Sequence, residues 1–166
     1  EHLETGHFWF ESRNQLILWA LREYCPQATT LLDVGCGTGF VLSAILDACP
    51  GLTATATDSL QAALTVARRR APAATLIEQD ARALALPDQF DVITLCDVIE
   101  HIDDDVEVLA RVFATAQPGG TLIITVPQHP WLWSGADDRA CHVRRYRRRE
   151  LVARVEAAGF TTIRVT

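Results

Sequence analysis

The sequence contains no lysine and no methionine, and all 15 of its basic residues are arginine. A phosphate-gripping P-loop needs a lysine before its final serine or threonine, so this class of nucleotide-binding site is excluded. No apolar run approaches the roughly 20 residues of a membrane-spanning helix. The five cysteines contain no C-x-x-C pair, which argues against a zinc ribbon or a disulfide framework.

The amino-terminal stretch also lacks the basic and then apolar pattern of a secretory signal peptide. We therefore expect a cytoplasmic protein with reduced thiols and no membrane span. With 21 acidic residues against 15 basic ones the net charge is −6, which argues against nucleic acid as the partner. A chain of 166 residues is long enough for one domain with a single substantial core.

A glycine-rich turn between a predicted strand and a predicted helix is the main functional signal. The apolar strand around Leu31 ends near Asp33, and glycines then alternate with other residues over 35–39 before a helical pattern begins. In an α/β sheet such a turn lies at the carboxyl end of the first strand, where ligands bind. The dinucleotide fingerprint G-x-G-x-x-G needs a third glycine where Phe40 stands. A carboxylate at Asp33 would also repel a pyrophosphate, so the turn favours a ligand with cationic groups.

Residues 33–39, Asp-Val-Gly-Cys-Gly-Thr-Gly, resemble motif I of the class I S-adenosylmethionine-dependent methyltransferases. That cofactor carries an ammonium and a sulfonium and has no phosphate. Segments 90–101 and 118–120 are similar to the fourth and fifth strands of the same family. The matching elements cover about residues 31–127, and the resemblance implies S-adenosyl-L-methionine as the cofactor.

The order of predicted elements is β-α-β-α-β-x-β-α-β, which predicts an α/β fold. We expect a doubly wound, mostly parallel, Rossmann-like sheet with helices on both faces, forming a three-layer sandwich. Predicted strands cover 31–34, 53–58, 74–78, 90–97 and 121–126, with a turn at 118–120, a helix over 149–158 and a sixth strand over 160–166.

The resemblance also implies a seventh, antiparallel strand between the fifth and sixth, which has no counterpart in this chain. We therefore expect a domain truncated at its C-terminus or covered by another chain, because an open edge invites pairing. The predicted organisation is an N-terminal aromatic and helical cap segment over 1–30, followed by an S-adenosylmethionine-binding domain over 31–166.

Acidic residues stand where the second and third strands end. Asp58 follows Gly39 by about 20 residues, the spacing at which an acidic residue meets ribose hydroxyls, although it could instead cap the next helix. The resemblance implies adenine contacts for Asp80 and Ala81, and a role for Asp97 at the methionine end of the cofactor. The complete predicted set of cofactor-binding residues is Asp33, Gly35, Cys36, Gly37, Gly39, Asp58, Ser59, Leu60, Asp80, Ala81, Cys96 and Asp97.

Methyl transfer from a sulfonium is an in-line displacement, so the protein contributes positioning, desolvation and a base where the acceptor is a hydroxyl or amine. The candidate bases are His101 and His129, just past the fourth and fifth strands, and His142 in the following loop. Histidine suits this task because its ordinary pKa lies near neutrality. The alternative is that each is a surface or capping residue.

An arginine-rich stretch over 139–149 is either an anion site for the acceptor or a solvated loop and helix start. Predicted acceptor contacts are Trp131, Trp133, Arg144, Arg145 and Tyr146. This region and the aromatic opening at 7–10 resemble methyltransferases linked to surface-polysaccharide or lipid-linked sugar pathways. The aromatic opening is either a lid over the site or part of a helix packed outside the sheet.

These features together predict methyl transfer from S-adenosylmethionine to a small-molecule acceptor that is anionic or sugar-like. No metal site is predicted, and a homo-oligomer stays open. Two alternatives are a nicotinamide-dependent oxidoreductase and a cofactor-binding domain that has lost its chemistry. Fold analogy sets the expectation, and the site has to establish the function.

Overall fold

The computed structural model describes residues 8–166. Its strands are β1 (Thr30–Val34), β2 (Thr53–Asp58), β3 (Thr75–Glu78), β4 (Phe90–Cys96) and β5 (Ala116–Thr125). Its helices are α1 (Phe8–Tyr24), α2 (Phe40–Ala48), α3 (Gln61–Arg70), α4 (Asp105–Thr115), α5 (Gly135–Arg139) and α6 (Arg148–Ala157).

The five strands form one parallel sheet in the order β3-β2-β1-β4-β5. From β1 the chain winds outward through β2 and β3, and it then crosses back to place β4 and β5 on the other side. The switch point lies between β1 and β4. In a doubly wound sheet the ligand crevice opens there, at the carboxyl ends of the strands.

Alternate residues of the central strands face opposite sides of the sheet, because side chains in a strand alternate in direction. Leu31 and Val92 belong to an apolar core shared with α1, α2 and α3. Leu32 and Ile93 belong to a second core shared with α4 and α6. The predicted α/β fold, with helices on both faces of a parallel sheet, is confirmed.

Helix α1 is part of the first of these cores. Its residues Ile17, Leu18 and Leu21 are buried together with Leu31 of β1 and Leu42 of α2. No helix within residues 8–166 is long and apolar enough to cross a membrane.

The predicted turn at 118–120 lies inside a strand instead. β5 already begins at Ala116, which pairs with Phe90, and the ladder then resumes at Thr121 opposite Val92. The residues between them bulge out, with Gly119 at φ +83°, and a Cβ on Gly120 would lie 2.9 Å from the carbonyl oxygen of Phe90. The Pro-Gly-Gly signal therefore marks a bulge rather than the start of the strand.

The predicted sixth strand over 160–166 is wrong, since this segment has no regular secondary structure. A strand forms only against a hydrogen-bonded neighbour, and β5 is the last strand on that side among residues 8–166. Phe160 nevertheless packs edge-on against Phe113 of α4, with ring centroids 4.9 Å apart. The apolar pattern therefore reports packing against a helix.

Candidate active site

The glycine loop after β1 lies between neighbouring elements. Gly35, Gly37 and Gly39 all have positive φ, at +72°, +54° and +75°. A Cβ on Gly35 would lie 2.5 Å from Cγ2 of Val98, and one on Gly39 would lie 3.0 Å from Cα of Ala67 in α3. A Cβ on Gly37 would meet nothing within 4 Å. Two of these glycines therefore allow close packing, and Gly37 faces open space.

The amides of this loop are already bonded within the protein. The N–H groups of Gly35 and Cys36 both donate to the carbonyl of Thr57, at 2.8 and 2.9 Å. The N–H of Gly37 donates to Oδ2 of Asp58 at 2.8 Å. A pyrophosphate site needs such amides directed at the ligand. The loop is therefore held in shape by β2, and its bonding disfavours a dinucleotide phosphate.

Asp33 lies buried beneath the loop. Its Oδ1 accepts a hydrogen bond of 2.7 Å from Oγ1 of Thr94, while its Oδ2 is buried and has no hydrogen-bond partner. Burial is the main cause that raises the pKa of Asp33 to about 6; the hydrogen bond from Thr94 and the charge of Arg13 oppose this rise, and the charge of Asp58 contributes to it. An unpartnered carboxylate oxygen here attracts a cationic group.

Two cysteines lie at neighbouring strand ends: Cys36 is in the glycine loop after β1, and Cys96 is the last residue of β4. Burial raises the pKa of Cys36 to about 12, and the charge of Asp33 adds to that effect. Burial and the same charge also raise the pKa of Cys96 well above its ordinary value. Both thiols are therefore neutral at physiological pH, and neither is a nucleophile.

Asp58 and Asp80 end up at the carboxyl edge of the sheet, as predicted. Oδ1 of Asp58 accepts from the N–H of Leu60 at 2.8 Å, so its two oxygens link the glycine loop to the turn before α3. Asp80 accepts from the N–H of Arg82 and pairs with the guanidinium of that residue. Ribose and adenine contacts stay predictions. Because a carboxylate has about four lone-pair sites, the two bonds that Asp58 accepts leave room for ribose hydroxyls, whereas contacts from Arg82 occupy both oxygens of Asp80. Beside these carboxylates Ser59 and Leu60 are exposed and Ala81 is buried.

Arg13 of α1 is a site residue that the sequence analysis missed. Its guanidinium forms an ion pair with Oδ2 of Asp97, whose Oδ1 accepts from Thr125 Oγ1 at 3.0 Å. The guanidinium also lies over the ring of Phe10, 5.2 Å from the centroid. Only the aromatic opening hinted at this segment, since nothing in the spacing links position 13 to position 97.

Two of the three candidate histidines come together. The rings of His101 and His142 meet edge to face with centroids 4.8 Å apart. Burial and the neighbouring His142 lower the pKa of His101 below its ordinary value. His129 instead lies against the ring of Trp131, at 5.6 Å between centroids.

Glu100 is a second residue that was not predicted. Its side chain is fully buried, at 0% exposure, and both carboxylate oxygens lack a hydrogen-bond partner. Burial raises the pKa of Glu100 to about 8, and the charge of Asp97 contributes. A histidine was the visible signal in this segment, and the preceding glutamate was not recognised as a separate candidate.

Arg144 and Tyr146 hold the fold together at Asp105. The buried Asp105 of α4 accepts from the Tyr146 hydroxyl at 2.5 Å and from Arg144 at 2.9 Å, and it also pairs with Arg154 of α6. Tyr146 is only 1% exposed, and burial together with Asp105 raises the pKa of its hydroxyl. This packing argues against the acceptor contacts predicted for Arg144 and Tyr146.

Arg145 makes a comparable contact with Asp137, in the loop that carries His142. It donates to both carboxylate oxygens, at 2.7 and 3.0 Å. His142 Nδ1 lies 2.9 Å from the same carboxylate, and the N–H of Ser134 donates to it at 2.8 Å. Arg145 thus forms a two-pronged ion pair with the buried carboxylate of Asp137, which argues against an anion site at this residue.

The tryptophans after β5 differ in accessibility. Trp131 is 77% exposed, whereas Trp133 is 41% exposed and donates through Nε1 to Asp138 at 3.0 Å. Trp131 is therefore the one with an open ring face.

In the predicted N-terminal lid, residues 1–7 lie outside the described part of the chain, and Phe10 packs on Phe40 at the end of the glycine loop.

Backbone strain marks the same edge of the sheet. Within residues 8–166, the non-glycine residues with positive φ are Asp97, His129 and Cys141, at +55°, +64° and +58°. They follow β4, follow β5 and precede His142, respectively. Such conformations cost free energy and concentrate at functional sites.

A family model for a methyltransferase domain matches residues 4–165. The chain belongs to this family. This confirms the recognition of a class I S-adenosylmethionine-dependent methyltransferase from residues 33–39.

Individual relatives agree with the family. The chain is 27% identical, over 95% of its length, to a probable S-adenosylmethionine-dependent methyltransferase of Mycolicibacterium smegmatis. It is 34% identical over 107 residues, or 60% of its length, to a ubiquinone biosynthesis O-methyltransferase of Pseudomonas putida. A solved, S-adenosylmethionine-bound amino pentose methyltransferase from Micromonospora echinaspora is 28% identical and superposes over 74% of the chain with a TM-score of 0.65. The chain spans 61%, 45% and 52% of these three proteins.

The residues present suit the cofactor of this family. The buried, unpartnered Oδ2 of Asp33 and the carboxylate of Asp97 are acceptors for cationic groups. Gly37 leaves open space beside the loop, and the bonds that the amides of Gly35, Cys36 and Gly37 make within the protein disfavour a phosphate. A cofactor with positive charge and without phosphate meets each of these conditions.

Proposed function

We propose that this protein transfers a methyl group from S-adenosylmethionine to a sugar-like small-molecule acceptor at the carboxyl edge of the sheet. The proposal rests on the hydrogen bonding of the glycine loop and of Asp33 beneath it. Its amides are bonded to Thr57 and Asp58, while Asp33 beneath it retains an unpartnered carboxylate oxygen. This arrangement favours a cationic ligand and disfavours the pyrophosphate of NAD, which was the main alternative.

Arg13 and Asp97 supply opposite charges for the amino-acid end of the cofactor. Their ion pair joins α1 to the end of β4, and the buried Nε of Arg13 has no hydrogen-bond partner, so Arg13 can still donate to a carboxylate while it pairs with Asp97. Asp97 would bind the ammonium, and Asp58 at the end of β2 would accept from the ribose hydroxyls. Opposite charges in one site match a zwitterion better than a ligand with a single sign of charge.

S-adenosylmethionine supplies a methyl group on a sulfonium, which passes to the acceptor and leaves S-adenosylhomocysteine. The protein has to align the acceptor, exclude water and take its proton. A neutral imidazole can accept that proton, and His101, His129 and His142 stay the candidates. Burial keeps the pKa of His101 low, so this ring is neutral at physiological pH.

The structure and the comparisons support a sugar-like acceptor over an anionic one. Arg144 and Arg145 are engaged by Asp105 and Asp137, so they are not available to an acceptor anion. Trp131 offers an open ring face, which suits stacking on a sugar ring. The relative with the solved structure is an amino pentose methyltransferase, which adds to this support.

The test is calorimetric titration of the purified chain with S-adenosylmethionine, S-adenosylhomocysteine and NAD. We expect micromolar binding of the first two, at least tenfold weaker binding by Asp58→Asn, and no binding of NAD. Asp88→Asn, an exposed carboxylate away from the loop, is the matched control and should bind normally. Binding of NAD alone would overturn the proposal.

The acceptor class is tested by methyl incorporation from labelled cofactor. Amino sugars and sugar nucleotides are compared with small carboxylic acids. We expect turnover with the sugar class and its loss in Trp131→Ala, with cofactor affinity unchanged. Turnover with carboxylic acids only would reject the sugar-like acceptor while leaving methyl transfer in place.

A further inference from the structure

Glu100, His101 and His142 form a compact cluster just past the end of β4. One ligand atom from each lies within 4.8 Å of the others. Glu100 and His101 belong to the short turn after β4, and His142 belongs to the loop before α6. The N–H of Val143 donates to the carbonyl of Glu100 at 2.8 Å, which fixes the two segments against each other.

Among the three residues, Glu100 gives the strongest evidence for a bound cation. It is completely buried, and neither of its carboxylate oxygens has a hydrogen-bond partner. Ionising a carboxyl group in such a place is unfavourable unless a cation lies against it. Such a residue favours a cation beside it. The guanidiniums of Arg144 and Arg145 pair with other carboxylates, and Arg13, whose charge lowers the pKa of Glu100, pairs with Asp97.

His142 is oriented as metal-binding histidines usually are. Its Nδ1 lies 2.9 Å from Oδ1 of Asp137, and Arg145 with the Ser134 amide holds that carboxylate in place. These donors keep the pKa of Asp137 well below its ordinary range, so the carboxylate accepts and Nδ1 carries the proton. The lone pair of Nε2 is then free for a ligand. A carboxylate behind a histidine is the common outer contact of a metal site.

We propose that Glu100, His101 and His142 bind one divalent transition-metal ion. Two imidazoles and one carboxylate suit Zn²⁺, Mn²⁺ or Fe²⁺ better than Mg²⁺ or Ca²⁺, which prefer oxygen ligands. Bonds of about 2.0–2.2 Å would bring the three donors closer together than they are now, through rotation of side chains. The prediction that there is no metal site is thereby revised.

Three protein ligands leave at least one position open, as in catalytic metal sites. This use rests on the proposed function: a hydroxyl oxygen of the acceptor would take the open position, and the ion would lower its pKa. His101 and His142 would then be ligands, and His129 would be the candidate histidine that could still take a proton. The acceptor atom would be oxygen rather than nitrogen.

The test uses protein purified without a histidine tag and stripped with a chelator. ZnCl₂ and MnCl₂ are titrated by calorimetry, and CoCl₂ is followed by its visible absorption. We expect one ion per chain, with at least tenfold weaker binding in Glu100→Gln and His142→Gln. Asp137→Asn should weaken binding roughly 10–100-fold through the orientation of His142. His129→Gln, a histidine outside the cluster, should bind as the wild type does.

Circular dichroism and thermal unfolding of each variant establish that it is folded, and Glu100→Gln is the variant that preserves shape best. The proposal is overturned if the wild type binds none of these ions, or if Glu100→Gln binds them as tightly as the wild type. Titration of the metal-free protein with S-adenosylhomocysteine separates the two ideas. Cofactor binding without metal binding rejects only the metal site, and the reverse result rejects the proposed function.

Discussion

Thr94 donates from Oγ1 to Oδ1 of Asp33 across 2.7 Å, and the two residues are directly opposite each other in β4 and β1. Both side chains are buried, at 0% and 1% exposure. The bond spans the switch point of the sheet and leaves the other oxygen of Asp33 unpartnered. It therefore fixes the orientation of a carboxylate that remains able to attract a cation.

The pKa of Asp33 makes the stability of the free protein pH-dependent. Because burial raises this pKa from 3.8 to about 6, the contribution to stability is complete below the unfolded value and is lost as the pH rises through about 6. In Asp33→Asn this loss is absent. We expect the free energy of unfolding of the wild type to fall, relative to Asp33→Asn, by at most about 3 kcal/mol between pH 4 and 8. Urea unfolding of both proteins across this range measures it.

Burial also raises the pKa of Glu100 into this pH range. We therefore compare the wild type with Asp33→Asn, because Glu100 contributes equally to both proteins and cancels in the difference. Thr94→Val serves as the companion variant. It removes the hydrogen bond that lowers the pKa of Asp33, so the pH at which stability is lost should move upward. A difference between wild type and Asp33→Asn that stays constant with pH would contradict this account.

Gly37 and Gly39 should respond differently to alanine. Gly39→Ala places a Cβ 3.0 Å from the backbone of Ala67 at φ +75°, so we expect a loss of about 2–4 kcal/mol in stability. Gly37→Ala meets open space at φ +54° and should cost only about 1–2 kcal/mol.

Cofactor affinity should depend more on Gly37 than on Gly39, the reverse of the order expected for stability. The new methyl group of Gly37→Ala enters the space where the cofactor is proposed to lie, so binding should weaken beyond what its stability loss explains. Thermal unfolding and calorimetry on the same samples give both quantities. Equal affinity of Gly37→Ala and wild type would place the cofactor elsewhere.

Arg13→Gln tests whether α1 belongs to the cofactor site. This change removes the cation that pairs with Asp97, and we expect affinity for S-adenosylhomocysteine to fall about tenfold, or about 1.4 kcal/mol. Arg22→Gln, in the last turn of the same helix, is the matched control. Unchanged binding by Arg13→Gln would make the ion pair purely structural.

Asp105 and Tyr146 give a prediction about stability alone. Asp105→Asn leaves Arg144 and Arg154 without their buried partner and should cost about 3–5 kcal/mol. Tyr146→Phe removes one hydrogen bond and should cost about 1–2 kcal/mol. Urea unfolding measures both, and Asp103→Asn, an exposed neighbour, should change little. A Tyr146→Phe protein that folds normally but loses acceptor turnover would restore the predicted substrate role.

The sequence predicted the sheet and the glycine loop because both depend on local patterns. Apolar runs separated by helical periodicity place β1, β2 and β4 almost to the residue. The Pro-Gly-Gly segment was misread because the same residues allow a turn and a bulge, and only the pairing of Phe90 with Ala116 distinguishes them. The predicted strand after α6 failed because its partner is not a property of its own sequence.

The charged part of the site could not be predicted in the same way. Arg13 meets Asp97, and Arg145 meets Asp137, through tertiary packing that no spacing rule encodes. The arginine-rich stretch was therefore interpreted as an anion site. In the structure, Arg144 and Arg145 form ion pairs with Asp105 and Asp137. Glu100 was missed because burial decides its chemistry, and burial follows from the complete fold.

The two ends of the loop between β5 and α6 are bonded to each other, and its later part is bonded to the turn after β4. The main chain of Tyr146 bonds to Pro127 and His129, and Val143 bonds to Glu100. The loop cannot open without breaking the contacts that hold Asp105, so its amides should exchange with solvent as one cooperative unit. Hydrogen exchange over 127–147 would then report whether a ligand is bound, even when the ligand touches only one residue of the loop.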